Sequence, residues 1–247
     1  MRPITHLSVF KIAEHGVFDN VNSYEEMNAA IKRYGQATPE TDEAKRTTEY
    51  NKRVGEAFEV YTQFFVDRPG YGNSPLLGIL KVTDTSDDPY QAGFDFMFES
   101  LDRKPGQLQS KWRSDPLYTF KIGKLATNGE VARNYNIDND KNILFLNIND
   151  HENLFDYKYK QARVGRRIID RRAQEEFMRR DPNFWDDFRK AIRESAEIKF
   201  KTVPKLRDVQ EWILRGHRSA GTSYSGTIAV LNGSISKGRV EAATATG

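Results

Sequence analysis

Three polar residues near the middle of the chain have the types and spacing for phosphate chemistry: Asp95 in AGFDFMFES, then Gln109 and Lys111 in QLQSKWRSD. Hydrolysing a phosphodiester at neutral pH needs a divalent cation that polarises the phosphoryl oxygen and generates a nucleophilic water. It also needs a positive group that orients that water and offsets the developing charge. Magnesium takes oxygen ligands at about 2.0–2.1 Å and keeps several waters, so one carboxylate, one amide oxygen and a substrate phosphate suffice. Asp95 and Gln109 supply the protein oxygens of such a set, and Lys111 supplies the cation.

These groups converge only if a hairpin presents them. Phe94, Phe96 and Phe98 alternate with Asp95, Met97 and Glu99, LDRKPG follows as a turn, and Gln107 to Arg113 reads as the second strand. Alternation puts Gln109 and Lys111 on one face of that strand, and Asp95 with Glu99 on one face of the first. A half-solvated hairpin shows the same alternation, so the pattern alone leaves a plain polar surface open. Downstream, DKNILFLNIN (Asp140 to Asn149) is an apolar run bounded by turn residues, as expected of a strand buried on both faces. Upstream, Thr41 to Val66 lacks proline and spaces Val54, Phe58, Tyr61 and Phe65 for the inner face of an amphipathic helix. SYEEMNAAIKRYG (Ser23 to Gly35) predicts a shorter helix, with Ser23 as cap, Glu26 at the capping-box position and Gly35 as the stop. A further helix is expected from DPNFWDDFRKAIRESAEIKF, opened by its Asp-Pro pair and turning Trp185, Phe188 and Ile192 to one side.

The pattern Gly93-x-Asp95, followed fourteen positions after the aspartate by Gln109-x-Lys111, resembles the PD-(D/E)XK restriction-endonuclease-like superfamily. The nearest branch is the Mrr type, in which glutamine replaces the second acid. GEAFEVYTQFF (Gly55 to Phe65) looks like that branch's preceding helix, and Trp112 also falls in a family-like place. The resemblance implies that Glu59, with Glu56 as substitute, joins Asp95 and Gln109 at a Mg2+ or Mn2+ ion while Lys111 orients the water. It covers roughly Thr41 to Asn149 and implies a mixed sheet flanked by helices. Two departures stand out: no Pro-Asp pair precedes the hairpin, and glutamine at 109 offers the ion a neutral ligand.

From Phe155 to Arg180 the chain holds nine Lys or Arg against four Asp or Glu. Arg163, Arg166, Arg167 and Arg171 recur at helical spacing, and with Lys158 they would line a face that tracks a DNA backbone. A solvated helical face is the plainer alternative. Near the end, LRDVQ (Leu206 to Gln210) and AATATG (Ala242 to Gly247) resemble the opening of a superfamily 2 helicase or translocase motor. The resemblance implies an adenine-reading glutamine at Gln210 and the start of a phosphate loop at Thr246 and Gly247, with ATP bound only in a longer chain. An ordinary Gly/Thr-rich terminus is the alternative.

The whole composition narrows the classes. The chain has 247 residues, 38% hydrophobic and 12% aromatic, enough for a core and too aromatic for a solvated tail. Its net charge of +3 is small, so any nucleic-acid binding has to come from local clustering. There is no cysteine, which excludes disulfides and thiolate metal sites, and the longest apolar runs have strand length. His6, His15, His151 and His217 lack metal-ligand spacing. The expected organisation is an extension over 1–40, a nuclease-like α/β core over 41–155, a basic helical connector over 156–203 and the beginning of a motor domain over 204–247. The expected protein is a cytoplasmic, magnesium-dependent DNA endonuclease fused to a helicase. The alternatives are a catalytically weak module that brings a helicase to DNA, and an accessory interaction domain that binds none.

Overall fold

A 24-residue helix, α3 (Glu43–Val66), organises the chain. In the computed structural model, residues 3–68, 78–84, 94–118, 136–149 and 166–201 are described, together with the backbone of 216–219 and 222–225. Asp42 caps α3 by accepting the Lys45 N–H at 2.9 Å. Val54, Phe58, Tyr61 and Phe65 are buried as their spacing requires, but so are Ala57, Val60, Phe64 and Val66. The last two turns of α3, Val60 to Val66, are therefore enclosed on all sides, as expected of a central helix and not a surface one.

Two short helices precede it, α1 (Val9–Glu14) and α2 (Tyr24–Gln36). Ser23 accepts from the Glu26 N–H at 3.1 Å, while the Glu26 carboxylate reaches the Asn22 N–H at 2.7 Å, a capping box displaced by one residue. Gly35 does not stop α2, which runs on to Gln36. It is buried in the last turn because α3 passes directly over it: a Cβ at Gly35 would sit 2.6 Å from Val54 Cγ1 and 2.8 Å from the Tyr50 ring.

One face of α3 rests on a five-stranded sheet in the order β1-β2-β3-β4-β5. Strands β1 (Ile79–Asp84), β2 (Phe96–Ser100) and β3 (Pro105–Lys111) form an antiparallel meander. Arg103, at φ 61°, takes the left-handed position in the β2–β3 turn. β4 (Asn142–Leu146) then pairs parallel to β3 and is buried along its whole length, as its unbroken apolar run predicts. β5 (Arg167–Ile169) continues the parallel half, and Asp170 directly after it caps α4 (Arg171–Arg179). α5 (Phe184–Lys201) follows.

The two sides of the sheet differ. Phe96, Phe98, Leu108, Ile143 and Phe145 face α3 and join the main core. That core also takes Ile12, Phe18 and Met27 from the first 40 residues and Phe177, Phe184 and Phe188 from α4 and α5. The segments read from sequence as extension and connector thus share one core with the hairpin. Arg68, just after α3, reinforces the junction: its guanidinium pairs with Asp181 and Asp187 while lying over the rings of Phe64 and Phe184. On the opposite side, Leu144, Leu146 and Ile148 form a smaller cluster with Tyr118 and Ile168.

The chain divides into two units, Met1–Lys199 and Phe200–Gly247. In the second, β6 (Gly216–Ser219) and β7 (Thr222–Ser225) pair as an antiparallel hairpin. Among the described residues no helix is long and apolar enough to cross a membrane.

The two glycines that touch α3 predict opposite outcomes. Gly35→Ala forces α2 off α3 and is expected to destabilise by about 1–3 kcal/mol. Gly55→Ala meets only Glu59 Oε1, at 3.9 Å, and should stabilise by about 0.5–1 kcal/mol through helix propensity. Urea denaturation of both variants checks the pair.

Candidate active site

Ser110 is where the sheet, the helix and the acidic residue meet. Alternation turns its side chain towards α3, where its hydroxyl lies 2.9 Å from that of Thr62. The Thr62 hydroxyl already donates to the Phe58 carbonyl at 2.8 Å, so the proton between the two hydroxyls comes from Ser110. The backbone N–H of Ser110 points to the start of β2 and donates to Asp95 Oδ2 at 2.6 Å. Asp95 is held from its own backbone as well, its N–H donating to the Leu108 carbonyl at 3.0 Å. Because Phe96 pairs with Leu108, Asp95 falls opposite Gln109.

The Asp95 carboxyl group is shielded from water, and this burial pushes its pKa up to about 7. The Lys111 ammonium opposes that shift most strongly, and the nearby Glu59 carboxylate adds to it. The Ser110 N–H also favours the ionised form. Asp95, Lys111 and Glu59 therefore lie within electrostatic reach of one another although 52 positions separate Glu59 from Lys111. Lys111 ends β3, is half-buried, and its ammonium makes no hydrogen bond or ion pair among the described residues.

Gln109 is 5% exposed, and its Oε1 is buried with no hydrogen-bond partner among the described residues. A buried amide oxygen without a partner is costly unless something binds it. Glu59, one turn before Gln63 on α3, gives Oε2 to His6 Nε2 at 2.9 Å. Its Oε1 makes no hydrogen bond among the described residues. Asp95 and Glu59 bring carboxylate oxygens within electrostatic reach of each other, and the Gln109 amide adds an oxygen on the strand opposite Asp95. Such a set fits a hard, hydrated cation that keeps several waters, such as Mg2+ or Mn2+. It is not a closed cage, since among the described residues no three His, Cys, Asp or Glu side chains converge on one point.

The end of β3 opens into a cavity of about 830 Å3. Glu56 and Glu59 of α3, Lys111 and Arg113 beyond Ser110, and Tyr50 and Trp112 line it. Trp112 donates its indole N–H to Asn28 Oδ1 at 3.0 Å, and Asn147 binds the same oxygen at 3.0 Å. Asn147 also accepts the Arg113 N–H at 2.6 Å, so α2 and the end of β4 hold the segment after β3 in place. The Arg113 guanidinium lies 4.7 Å over the Tyr118 ring. Glu56, the substitute position, is 3.9 Å from Lys52 on the rim.

The basic stretch is arranged differently from its helical spacing. Arg167 is in strand β5, Asp170 caps the next helix, and only Arg171 of the four is helical in the described residues. The apolar pair Ile168 and Ile169 gains more by extending the sheet beside β4 than the arginines gain from a common face. Arg166 is half-buried, and desolvation pushes its pKa down to about 10. Arg171 pairs with Glu25 and Glu175 and lies over the Tyr24 ring. Arg166, Arg167 and Arg171 thus do not form one helical face. Arg163, Lys158 and Gly93, like Gln210, Thr246 and Gly247, lie outside the described residues.

His6, Thr62, Gln63 and Ser110 were not singled out by sequence reasoning. Only the Ser between Gln109 and Lys111 had a local signal, its position on the face opposite both. The chain matches no protein-family model, no curated protein and no solved structure.

The raised pKa of Asp95 sets a sign for stability. In the unfolded chain the carboxyl ionises near pH 4, whereas in the fold it keeps its proton until about pH 7. Between those values the native state binds the extra proton, so stability falls as pH rises from about 4 to 7. Asp95→Asn is therefore expected to stabilise the metal-free protein by on the order of 3 kcal/mol at pH 8 and to change little at pH 4. Denaturation curves at the two pH values in EDTA check this, and an equal loss at both would contradict it.

Proposed function

We propose that the chain hydrolyses DNA phosphodiester bonds with a divalent metal ion, at the site built by Asp95, Gln109, Lys111 and Glu59. The observation that carries this reading is the electrostatic closeness of the buried Asp95 to Lys111 and Glu59, the latter two lining one cavity. The order of elements supports it too: a helix bearing Glu59, a hairpin bearing Asp95 and Gln-x-Lys, then a buried parallel strand, as the resemblance to PD-(D/E)XK nucleases implies.

In this reading a bound Mg2+ or Mn2+ polarises the phosphoryl oxygen and acidifies a water. Asp95, with Gln109 Oε1, would hold the ion, and Glu59 Oε1 would contact it or one of its waters. Lys111, at the end of a strand clamped to α3, keeps its ammonium available to orient the attacking water and to offset charge on the phosphoryl group. Arg113 and Lys52 bring positive charge to the cavity, and Tyr50 and Trp112 offer aromatic surface for a base or sugar. A bound cation would favour the ionised form of Asp95, whereas an arriving phosphate alone opposes it, so cutting should need the metal. The further proposal that 204–247 begins an ATP-dependent motor rests on the sequence resemblance alone.

The test is nicking of supercoiled plasmid in Mg2+ or Mn2+. Asp95→Ala and Lys111→Ala should each lower the cutting rate by about 100-fold or more while DNA affinity stays within a few-fold. Salt-sensitive DNA binding by a wild-type protein that cuts in neither ion would replace this reading with a targeting module, and no DNA binding at all with an interaction domain.

A further inference from the structure

We propose that His6 is a positioning residue for Glu59, so that the segment 4–8 belongs to the metal site and is not an appendage to it. This inference rests on the nuclease reading above.

The imidazole is 2% exposed, and its two nitrogens have separate tasks. The Ser8 N–H lies 3.2 Å from Nδ1 and needs a lone pair there. The proton of the neutral ring is then on Nε2, 2.9 Å from Glu59 Oε2, and His6 donates to the carboxylate. This bond holds one carboxylate oxygen on the protein side and leaves Oε1 as the oxygen that can serve an ion or its water. A glutamate has three side-chain torsions, and without such a tether an exposed one samples many orientations. Glu59 is 20% exposed, so the tether matters.

The segment itself is held at several points. The Thr5 and His6 N–H groups both donate to Gln63 Oε1, at 3.1 and 3.0 Å, and Gln63 Nε2 returns a bond to Thr5 Oγ1 at 2.7 Å. Gln63 is four residues after Glu59 on the same face of α3, so one helix turn carries both the metal-side carboxylate and the clamp for its partner. The Ile4 N–H donates to Ser195 Oγ of α5 at 2.8 Å in a buried bond. The ring also packs against Phe96, 6.3 Å between centroids, next to Asp95. Residues 4–8 thus run between α3 and α5 and deliver one imidazole to one carboxylate. Hydrogen-bonded partners behind metal-ligating carboxylates set metal affinity, and losing one typically costs about 10–100-fold.

The test compares His6→Asn with His6→Gln in the full chain. Asparagine keeps an acceptor near the Nδ1 position for the Ser8 N–H but does not reach Glu59, whereas glutamine places an N–H donor near the Nε2 position. Mn2+ affinity is measured by calorimetry, alongside melting temperature and plasmid nicking. His6→Asn is expected to weaken Mn2+ binding by about 10-fold or more and to slow nicking similarly, with His6→Gln within about 3-fold of wild type. In a Glu59→Gln background, His6→Asn should add little to either loss. Wild-type Mn2+ affinity in His6→Asn, or an undiminished effect in the Glu59→Gln background, overturns the role of His6 and leaves the nuclease reading standing. Absence of Mn2+ binding by the wild-type protein overturns both.

Discussion

The arrangement of the site depends on Ser110 being bonded in two directions at once. Its hydroxyl fixes β3 to α3 through Thr62, and its N–H fixes the carboxylate at the start of β2. Gln109 and Lys111 flank it on the strand, so their positions follow from the same two bonds. Both contacts are short and shielded from bulk water, where a hydrogen bond is electrostatically stronger and an unpaired partner costs more. A slip of one residue in β3 would turn Leu108 and Ser110 away from the helix and bring Gln109 and Lys111 into the apolar core in their place. The main core penalises that slip, which is why a strand with four polar residues in its last five keeps one register.

The same geometry places a carboxyl group where it is electrostatically uncomfortable. Asp95 is desolvated with the Glu59 carboxylate nearby, while Lys111 and the Ser110 N–H favour its charge. A protein selected for stability alone would place an apolar residue or an amide at 95. Two neighbouring acids instead suit a cation that arrives later and neutralises them. Perturbed carboxylates of this kind mark functional sites more often than structural ones. The surroundings are correspondingly rigid: Trp112, Asn28 and Asn147 form a hydrogen-bonded group behind the cavity. Gln174, buried in α4, ties Tyr61 of α3 to the Leu146 carbonyl at the end of β4.

Local patterns were readable where one force dominated. Period-two phenylalanines marked β2, an unbroken apolar run marked β4, and three-to-four spacing without proline marked α3. The nearness of Asp95 to Lys111 was legible because strand alternation makes neighbours of residues that a short turn brings together. His6 was not, since nothing local connects position 6 to position 59; their bond depends on the long-range clamp of residues 4–8 between two helices. Gly35 was read as a stop because glycine ends helices, while here the missing Cβ admits Tyr50 and Val54. The arginine spacing at 163–171 suggested a helix, yet the Ile168–Ile169 pair adopts strand geometry beside β4. In each of these cases a tertiary contact outweighed a correct local preference.

The central claim is that Asp95 and Gln109 share one divalent ion, with the Lys111 ammonium beside it and not bound to it. A crystal soaked with Mn2+ and measured at the manganese absorption edge tests this most directly. The account predicts a single anomalous peak about 2.0–2.3 Å from an Asp95 carboxylate oxygen and from Gln109 Oε1, with Glu59 Oε1 on the ion or on one of its waters. Full occupancy of manganese elsewhere, with Asp95 still bonded to Ser110 and the Gln109 oxygen bare, would contradict it.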